Sequence, residues 1–296
     1  MDRPETTWTA FLSHAPYFTG ALMAAVRDSE LASYNDRVRA LVYYDLFDGE
    51  VSNGGVMQYL FNQAFNLPEF EAAPSIIAKD PVLADGAEFV AEVYDRWPKI
   101  RSRVSEFCAA DDWPEELFSD NQFEGLEERF FAVNHSIRLK LYAAICRSPH
   151  DYVQIRPEPQ DAQYRFVDGF PVGPNVIDSH DGEMVVWFSA DRLHVDVERP
   201  ALLPESGPYS REWVDFRTGA SGCRHFTDHR LTSHETRKAL WYEHGVREVY
   251  REDGTVSSTR LSLDGEAVIE CFSDRPPLVN GPRLKSLLHH GEDVEF

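Results

Sequence analysis

The chain is short of positive charge: 29 Lys and Arg stand against 50 Asp and Glu, a formal net charge of −21. Affinity for nucleic acid rests largely on cations that neutralise phosphates, so direct binding to DNA or RNA is not expected. A field of this sign draws basic proteins or cations instead. Acidity that serves solubility alone is the plainer reading. Cysteine is scarce too. Cys108, Cys146, Cys223 and Cys271 lie far apart and form no Cys-x-x-Cys pair, so a disulfide framework is not expected. No run approaches the roughly 20 apolar residues of a membrane-spanning helix. Met1 to Glu5 lacks the basic and apolar segments of a secretory signal. The expectation is a cytoplasmic protein with reduced thiols and no membrane partner.

What the chain does have is length and apolar content. At 296 residues, 43% hydrophobic and 12% aromatic, it can bury a sizeable core, and its length favours two domains. The patterning changes partway along. Val38, Leu41, Val42 and Leu46 recur at helical spacing, and a helix is expected from Asp85 to Trp97, closed by Pro98. From about Asn121 to Arg147, the residues Leu126, Phe130, Val133, Ile137, Leu141 and Ile145 form an apolar stripe. Glu124, Glu127 and Glu128 lie at the end where the helix dipole favours negative charge.

Beyond Pro149 the period shortens to two. Strands are expected at Glu183 to Phe188, Arg192 to Val197, Leu240 to Tyr242, Val246 to Tyr250, Thr255 to Leu263 and Ala267 to Phe272. His244-Gly245, Asp253-Gly254 and Asp264-Gly265 separate the later ones, and Asp-Gly between alternating runs signals a type I′ hairpin. The fold class is α+β: an all-α domain over residues 1–150, then a mainly antiparallel β domain over residues 151–296.

The most distinctive stretch runs from Asp48 to Asn62. Gly54 and Gly55 permit backbone angles or close approaches denied to other residues, and Ser52 or Asn53 is placed to cap a following helix. Gly54, Gln58 and Asn62 recur every four residues, which puts two carboxamides on one helix face, where they can fix a helix crossing. The segment Glu50-Val51-Ser52-Asn53-Gly54-Gly55, followed in register by Gln58, Phe61 and Asn62 and preceded by Tyr43-Tyr44-Asp45, resembles the signature of the DNA-mimic protein 19 family. The resemblance spans about residues 15–148 and implies an all-α domain. It also implies that some relatives are acidic decoys for the DNA-binding surface of a helix-turn-helix regulator. The β half departs from the simplest members, in which the helical domain stands alone. Either a structural or a partner-contacting role is open to Glu50, Asn53, Gly54, Gly55, Gln58 and Asn62.

Charge within the first half is uneven. Between Val104 and Glu128 lie nine acids and no Lys or Arg. Glu106, Asp111, Asp112, Glu115, Glu116, Asp120 and Glu124 are the candidate partner-binding residues of that run. The run reads either as a solvated helix edge or as a one-signed surface that a basic groove would recognise.

No phosphate-binding glycine loop, nucleophile elbow or His-Glu-x-x-His helix occurs, so no catalytic residue is assigned. Cys223, His225, Asp228 and His229 are competent zinc ligands, but no second pair stands at ligand spacing. The segment reads as a solvated polar loop, and neither metal nor cofactor is expected. Three functions remain: an acidic module that sequesters a basic, DNA-binding protein; an antitoxin or immunity protein against a cationic toxin; and a metal-dependent hydrolase built on Cys223, His225 and His229.

Overall fold

The computed structural model describes residues 2–67, 69–110, 123–179, 182–200, 209–227, 230–237, 245–263, 266–274 and 278–279. The chain divides into two compact units, residues 1–158 and 159–296. The first is helical and the second is an antiparallel sheet.

In the helical unit, β1 (Glu5–Thr6) leads into α1 (Trp8–Ser13) and α2 (Thr19–Ala25). Then come α3 (Asp36–Gln63), α4 (Ala73–Ile77), α5 (Ala84–Ala110) and α6 (Glu124–Arg147). A short β2 (Gln154–Ile155) returns to pair in parallel with β1. Helix α3 begins where the Asn35 side chain accepts the Val38 amide at 3.0 Å, and it buries Val38, Leu41 and Val42. That cap satisfies one of the amide donors left over at any helix start.

Two details depart from the sequence pattern. Pro98 does not end α5, which continues to Ala110. Val90, Val93, Trp97, Ile100 and Val104 are all buried, and one apolar face carried through the proline outweighs a local cost of about 3 kcal/mol. In α6, Val133 is 38% exposed and the buried position passes to Asn134, for a reason that lies in the site below. The core is aromatic. Phe47 packs edge-on against Tyr59 and Phe130 at 5.0 and 5.2 Å, and Phe70 against Trp97 at 5.4 Å. Gly86 lets α5 press on the Tyr44 ring, where a Cβ would collide with it.

The second unit opens with a small hairpin, β3 (Phe166–Val167) and β4 (Phe170–Pro171). Its Asp168-Gly169 turn has positive φ at both residues (48° and 72°), as a type I′ turn needs. The remaining strands are β5 (Asn175–Ser179), β6 (Gly182–Phe188), β7 (His194–Pro200), β8 (Tyr209–Asp215), β9 (Ser221–Thr227), β10 (Arg230–Arg237), β11 (Gly245–Tyr250), β12 (Val256–Leu263), β13 (Glu266–Phe272) and β14 (Leu278–Val279). They form one sheet in which every strand pairs with its neighbours in sequence. Strands β5, β8, β9, β10 and β14 lie outside the expected strand segments, and the segment from Cys223 to Thr227 is strand, not loop. Its mixed polarity hid it, because the residues that alternate there are seldom apolar. The Asp253-Gly254 turn is a longer loop than expected: only Gly254 has positive φ (81°), and Arg251 N–H donates to the Thr255 carbonyl at 2.8 Å. This is a three-residue loop whose last residue takes the left-handed conformation. Leu240 to Tyr242 and Asp264-Gly265 lie outside the described residues.

Register puts Ile177, Met184, Val186, Phe188, Val195, Val197 and Val214 on one buried face. From β10 onward apolar burial fades, and Val246 and Val256 are exposed. Glu235 faces Arg247 across β10 and β11 there, and Arg247 in turn faces Arg260 of β12. The opposite pair contributes a few tenths of a kcal/mol or more, and the like pair opposes it. On the other face the Trp213 indole lies over Gly222 of the adjacent strand, where a Cβ would meet Nε1 at 2.6 Å and collide with the Glu235 carbonyl oxygen. Gly222→Val is therefore expected to lower the unfolding free energy by about 2–4 kcal/mol, whereas Gly125→Ala, with open space around it, should change it by less than about 0.5 kcal/mol. Urea denaturation followed by far-ultraviolet circular dichroism checks both.

Candidate functional site: the bend in the third helix

The distinctive segment lies where α3 breaks. Gly54 (φ −158°, ψ 19°) and Gly55 (φ 84°, ψ 177°) leave helical geometry, and the residues on either side resume it. The break is a reversal. Residues 47 and 59 of a straight helix would stand about 18 Å apart along the axis, yet the Phe47 and Tyr59 rings are 5.0 Å apart. Only glycine reaches the Gly55 conformation without strain.

A break exposes unpaired backbone donors at the start of the second half. The Glu127 carboxylate of α6 accepts the Val56 amide at 2.6 Å, so the cap expected from Ser52 or Asn53 is supplied by another helix. Gly55 also admits that carboxylate, since a Cβ would meet Glu127 Oε1 at 2.7 Å. On the inner side of the bend, Glu50 gathers three carboxamides. Gln58 and Asn62 donate to its Oε2 at 2.8 Å each, and Gln63 donates to Oε1 at 2.9 Å. The carboxamides thus bind a side chain of the first half, not the backbone of a neighbouring helix. Hydrogen bonds to a charged acceptor are worth about 1.5–3 kcal/mol each, so three on one carboxylate clamp the two halves together. Of the segment's residues, Asn53 alone combines an exposed side chain with no partner among the described residues.

One turn before Ser52 lies a second network that the sequence pattern did not disclose. Asp48 is buried and takes a forked pair of bonds from Arg138, with Nη2 at 2.6 Å from Oδ1 and Nε on Oδ2. Asn134 donates to Asp48 at 2.6 Å and accepts from the Tyr44 hydroxyl at 2.6 Å. This explains the exchange of Val133 for Asn134 in the buried stripe: α6 turns its polar edge inward to neutralise a buried carboxylate. A buried charge left alone would cost several kcal/mol. The readable signal was the Asn134, Arg138 pair at helical spacing in an otherwise apolar helix. Nearby, burial and the Asp48 carboxylate push the Asp45 carboxyl up to about 6, against Arg138 and a bond with Thr19. Burial also holds His135 below its ordinary value, with Arg138 adding to it, and both of its ring nitrogens are buried without a hydrogen-bond partner.

The acidic run is only partly described. Glu106 is exposed on α5 and Glu128 is exposed on α6. Asp111, Asp112, Glu115, Glu116 and Asp120 lie outside the described residues, as does the Glu124 side chain. Exposed Glu88 and Asp95 fall on the same line along α5 as Glu106, about five and three turns from it, with Lys99 interrupting the line.

In the sheet, Cys223 is buried and His225 exposed, two residues apart on β9. Asp228 and His229 lie outside the described residues. Among the described residues no three His, Cys, Asp or Glu groups are placed to hold a metal ion, and no helix among them is long and apolar enough to cross a membrane.

Residues 32–148 match the family model described as DMP19-like protein. The match takes in the whole of α3 to α6, with the bend, the Glu50 clamp and the Asp48 network inside it. Comparison with curated proteins and with solved structures finds no match.

Two outcomes follow for stability. Glu50→Gln replaces an acceptor by a donor facing three donors, and should cost about 2–4 kcal/mol, while Gly55→Val should cost about 1–3 kcal/mol or more through strain and collision with Glu127. Glu128→Gln is the neutral control in the same urea titrations. The second outcome concerns pH. Asp45 titrates higher folded than unfolded, so its penalty is absent below about pH 3.8 and grows as pH rises through about 6. Asp45→Asn should therefore stabilise the protein at pH 7 by at most about 2–3 kcal/mol, with the gain vanishing near pH 4. A constant gain across pH 4 to 8 would place the effect elsewhere.

Proposed function

Taking residues 32–148 as a DMP19-like domain, we propose that the protein is an acidic protein-binding module that occupies the nucleic-acid-binding surface of a basic partner, with a DNA-binding regulator as the partner class. The observation that carries the reading is the net charge of −21 on a chain whose helical half holds that domain. The internal chemistry of the domain supports it by elimination. Glu50, Gln58, Asn62, Gly54 and Gly55 are occupied with the bend, so recognition falls to side chains outside it. Those include exposed Asn53, the carboxylates of Glu88, Asp95 and Glu106 on α5, and the run from Asp111 to Glu124.

Repeated negative charge is what a groove built for phosphates attracts, and the attraction reaches only about 8 Å at physiological salt. Capture should therefore weaken steeply with salt, and duplex DNA should displace the captured protein. The test is recovery of partners from a lysate of the native cell by wild type and by the combined variant Asp111→Lys, Asp112→Lys, Glu116→Lys, at low and high salt. Charge reversal should slow association more than it speeds dissociation. Equal recovery of the same partners by both proteins, indifferent to salt and to added DNA, would remove the proposal.

A further inference from the structure

A cleft of about 360 Å³ opens in the helical unit, away from the bend. Its lining includes four alanines, Ala10 of α1 and Ala21, Ala24 and Ala25 of α2, of which Ala21 is buried and Ala25 half-buried, together with Glu5, Thr7, His14, Arg27 and Arg156. The volume is at the lower end of the roughly 300–1,000 Å³ typical of small-molecule sites. Nothing in the fold of α3 to α6 requires it.

Three of the lining side chains have no hydrogen-bond or ion-pair partner among the described residues: Glu5, His14 and Arg156. Glu5 and Arg156 carry opposite charges and share the cleft, yet do not pair. They are diagonal neighbours on the strand pair, within reach of one another, and the structure leaves them without an ion pair. β1 and β2 pair with Glu5 opposite Gln154 and Thr6 opposite Ile155, and the Arg156 amide donates to the Thr6 carbonyl at 2.8 Å. Arg156 therefore projects to the same side as Glu5 but two residues along, a diagonal of roughly 7–8 Å between side-chain origins. Arg27, at the end of α2, is already bonded to Glu30 at 3.1 Å and adds a second guanidinium nearby. The His14 ring lies against Gly20, where a Cβ would meet Nδ1 at 2.8 Å, and burial lowers its titration, so it is neutral at pH 7 and offers one donor and one acceptor.

We propose that this cleft binds a small α-amino acid as its zwitterion, the carboxylate at Arg156, the ammonium at Glu5 and a small apolar side chain against the alanines of α1 and α2. An unpaired acid and base a diagonal apart suit a ligand that carries the complementary charges together. The overall field selects in the same direction. A chain of net charge −21 repels small anions, whereas a zwitterion has no net charge to repel. Because Glu5 and Arg156 belong to the β1–β2 clasp that joins the start of the unit to its end, an occupied cleft would also tighten that clasp.

Isothermal titration calorimetry on the full chain tests this with L-alanine, L-leucine and L-glutamate, and with propionate, ethylamine and inorganic phosphate as ligands carrying one charge type. At least one amino acid should bind saturably at one site per chain, at least about tenfold more tightly than propionate, ethylamine or phosphate, because each of these leaves one charged partner unused. Arg156→Ala and Glu5→Gln should each weaken that binding about tenfold or more. Ala25→Phe, which fills the cleft from a half-buried position, should abolish it; a partly filled variant, Ala24→Leu, guards against misfolding, and circular dichroism verifies each fold. Absence of binding by all three amino acids overturns the proposal. So does phosphate or propionate binding as tightly as the amino acids, or binding that survives Arg156→Ala. Partner capture through the acidic surface is independent of every one of these outcomes.

Discussion

The helical unit depends on one constraint: a helix is turned back on itself, and the amides and charges at the turn must be satisfied. Gly55 supplies the backbone angle, but an angle alone does not hold a chain. The Glu127 carboxylate meets the amide freed at the turn, and Glu50 binds the returning half through three carboxamides. The aromatic core assembles around that geometry, with Phe47 and Tyr59 brought face to edge and Phe130 closing on them. At Glu50 and Glu127, what reads as surface acidity in a linear sequence is internal hydrogen bonding.

The second carboxylate network makes the same use of α6 from a different register. Asp48, on the helix before the turn, is neutralised by Arg138 and bridged through Asn134 to Tyr44. Helix α6 therefore meets α3 through Glu127 at the turn and through Asn134 and Arg138 before it. Between the two lies Phe130, buried among Phe47 and Phe89. A polar contact on each side of an aromatic one fixes both the axial position and the rotation of the helix, which an apolar stripe alone leaves loosely set.

Much of this was legible in the sequence and some was not, for identifiable reasons. The helices and the change to strands follow from period, and the importance of Asn53-Gly54-Gly55 from composition. Pro98 misled because local cost is visible in a sequence while the burial of Ile100 and Val104 beyond it is not. Val133 is apolar yet exposed, because the buried Asp48 carboxylate, 86 residues from Asn134, has the stronger claim on the inward position. Strands β8 to β10 are hard to read because Arg, His, Glu, Ser and Thr alternate there with few apolar residues, and their pairing rests on the backbone ladder. The proposed partner surface is legible only as a charge run, and charge density says what sign of partner to expect, not which one.

The sheet's strand order has a kinetic consequence. Each strand from β5 to β14 pairs with the strand made just before and just after it, so every contact of the ladder closes a loop of short length. Such local wiring lowers the entropy cost of each step and favours fast, sequential zipping. The helical unit is wired the other way. β1 waits for β2, about 150 residues later, and Arg3 waits for the carbonyl of His150. During synthesis the first unit can finish only when its last residues emerge, whereas the second can grow hairpin by hairpin as it leaves the ribosome. A sheet assembled that way also tolerates gain or loss of a whole hairpin with little disturbance to the strands already in place.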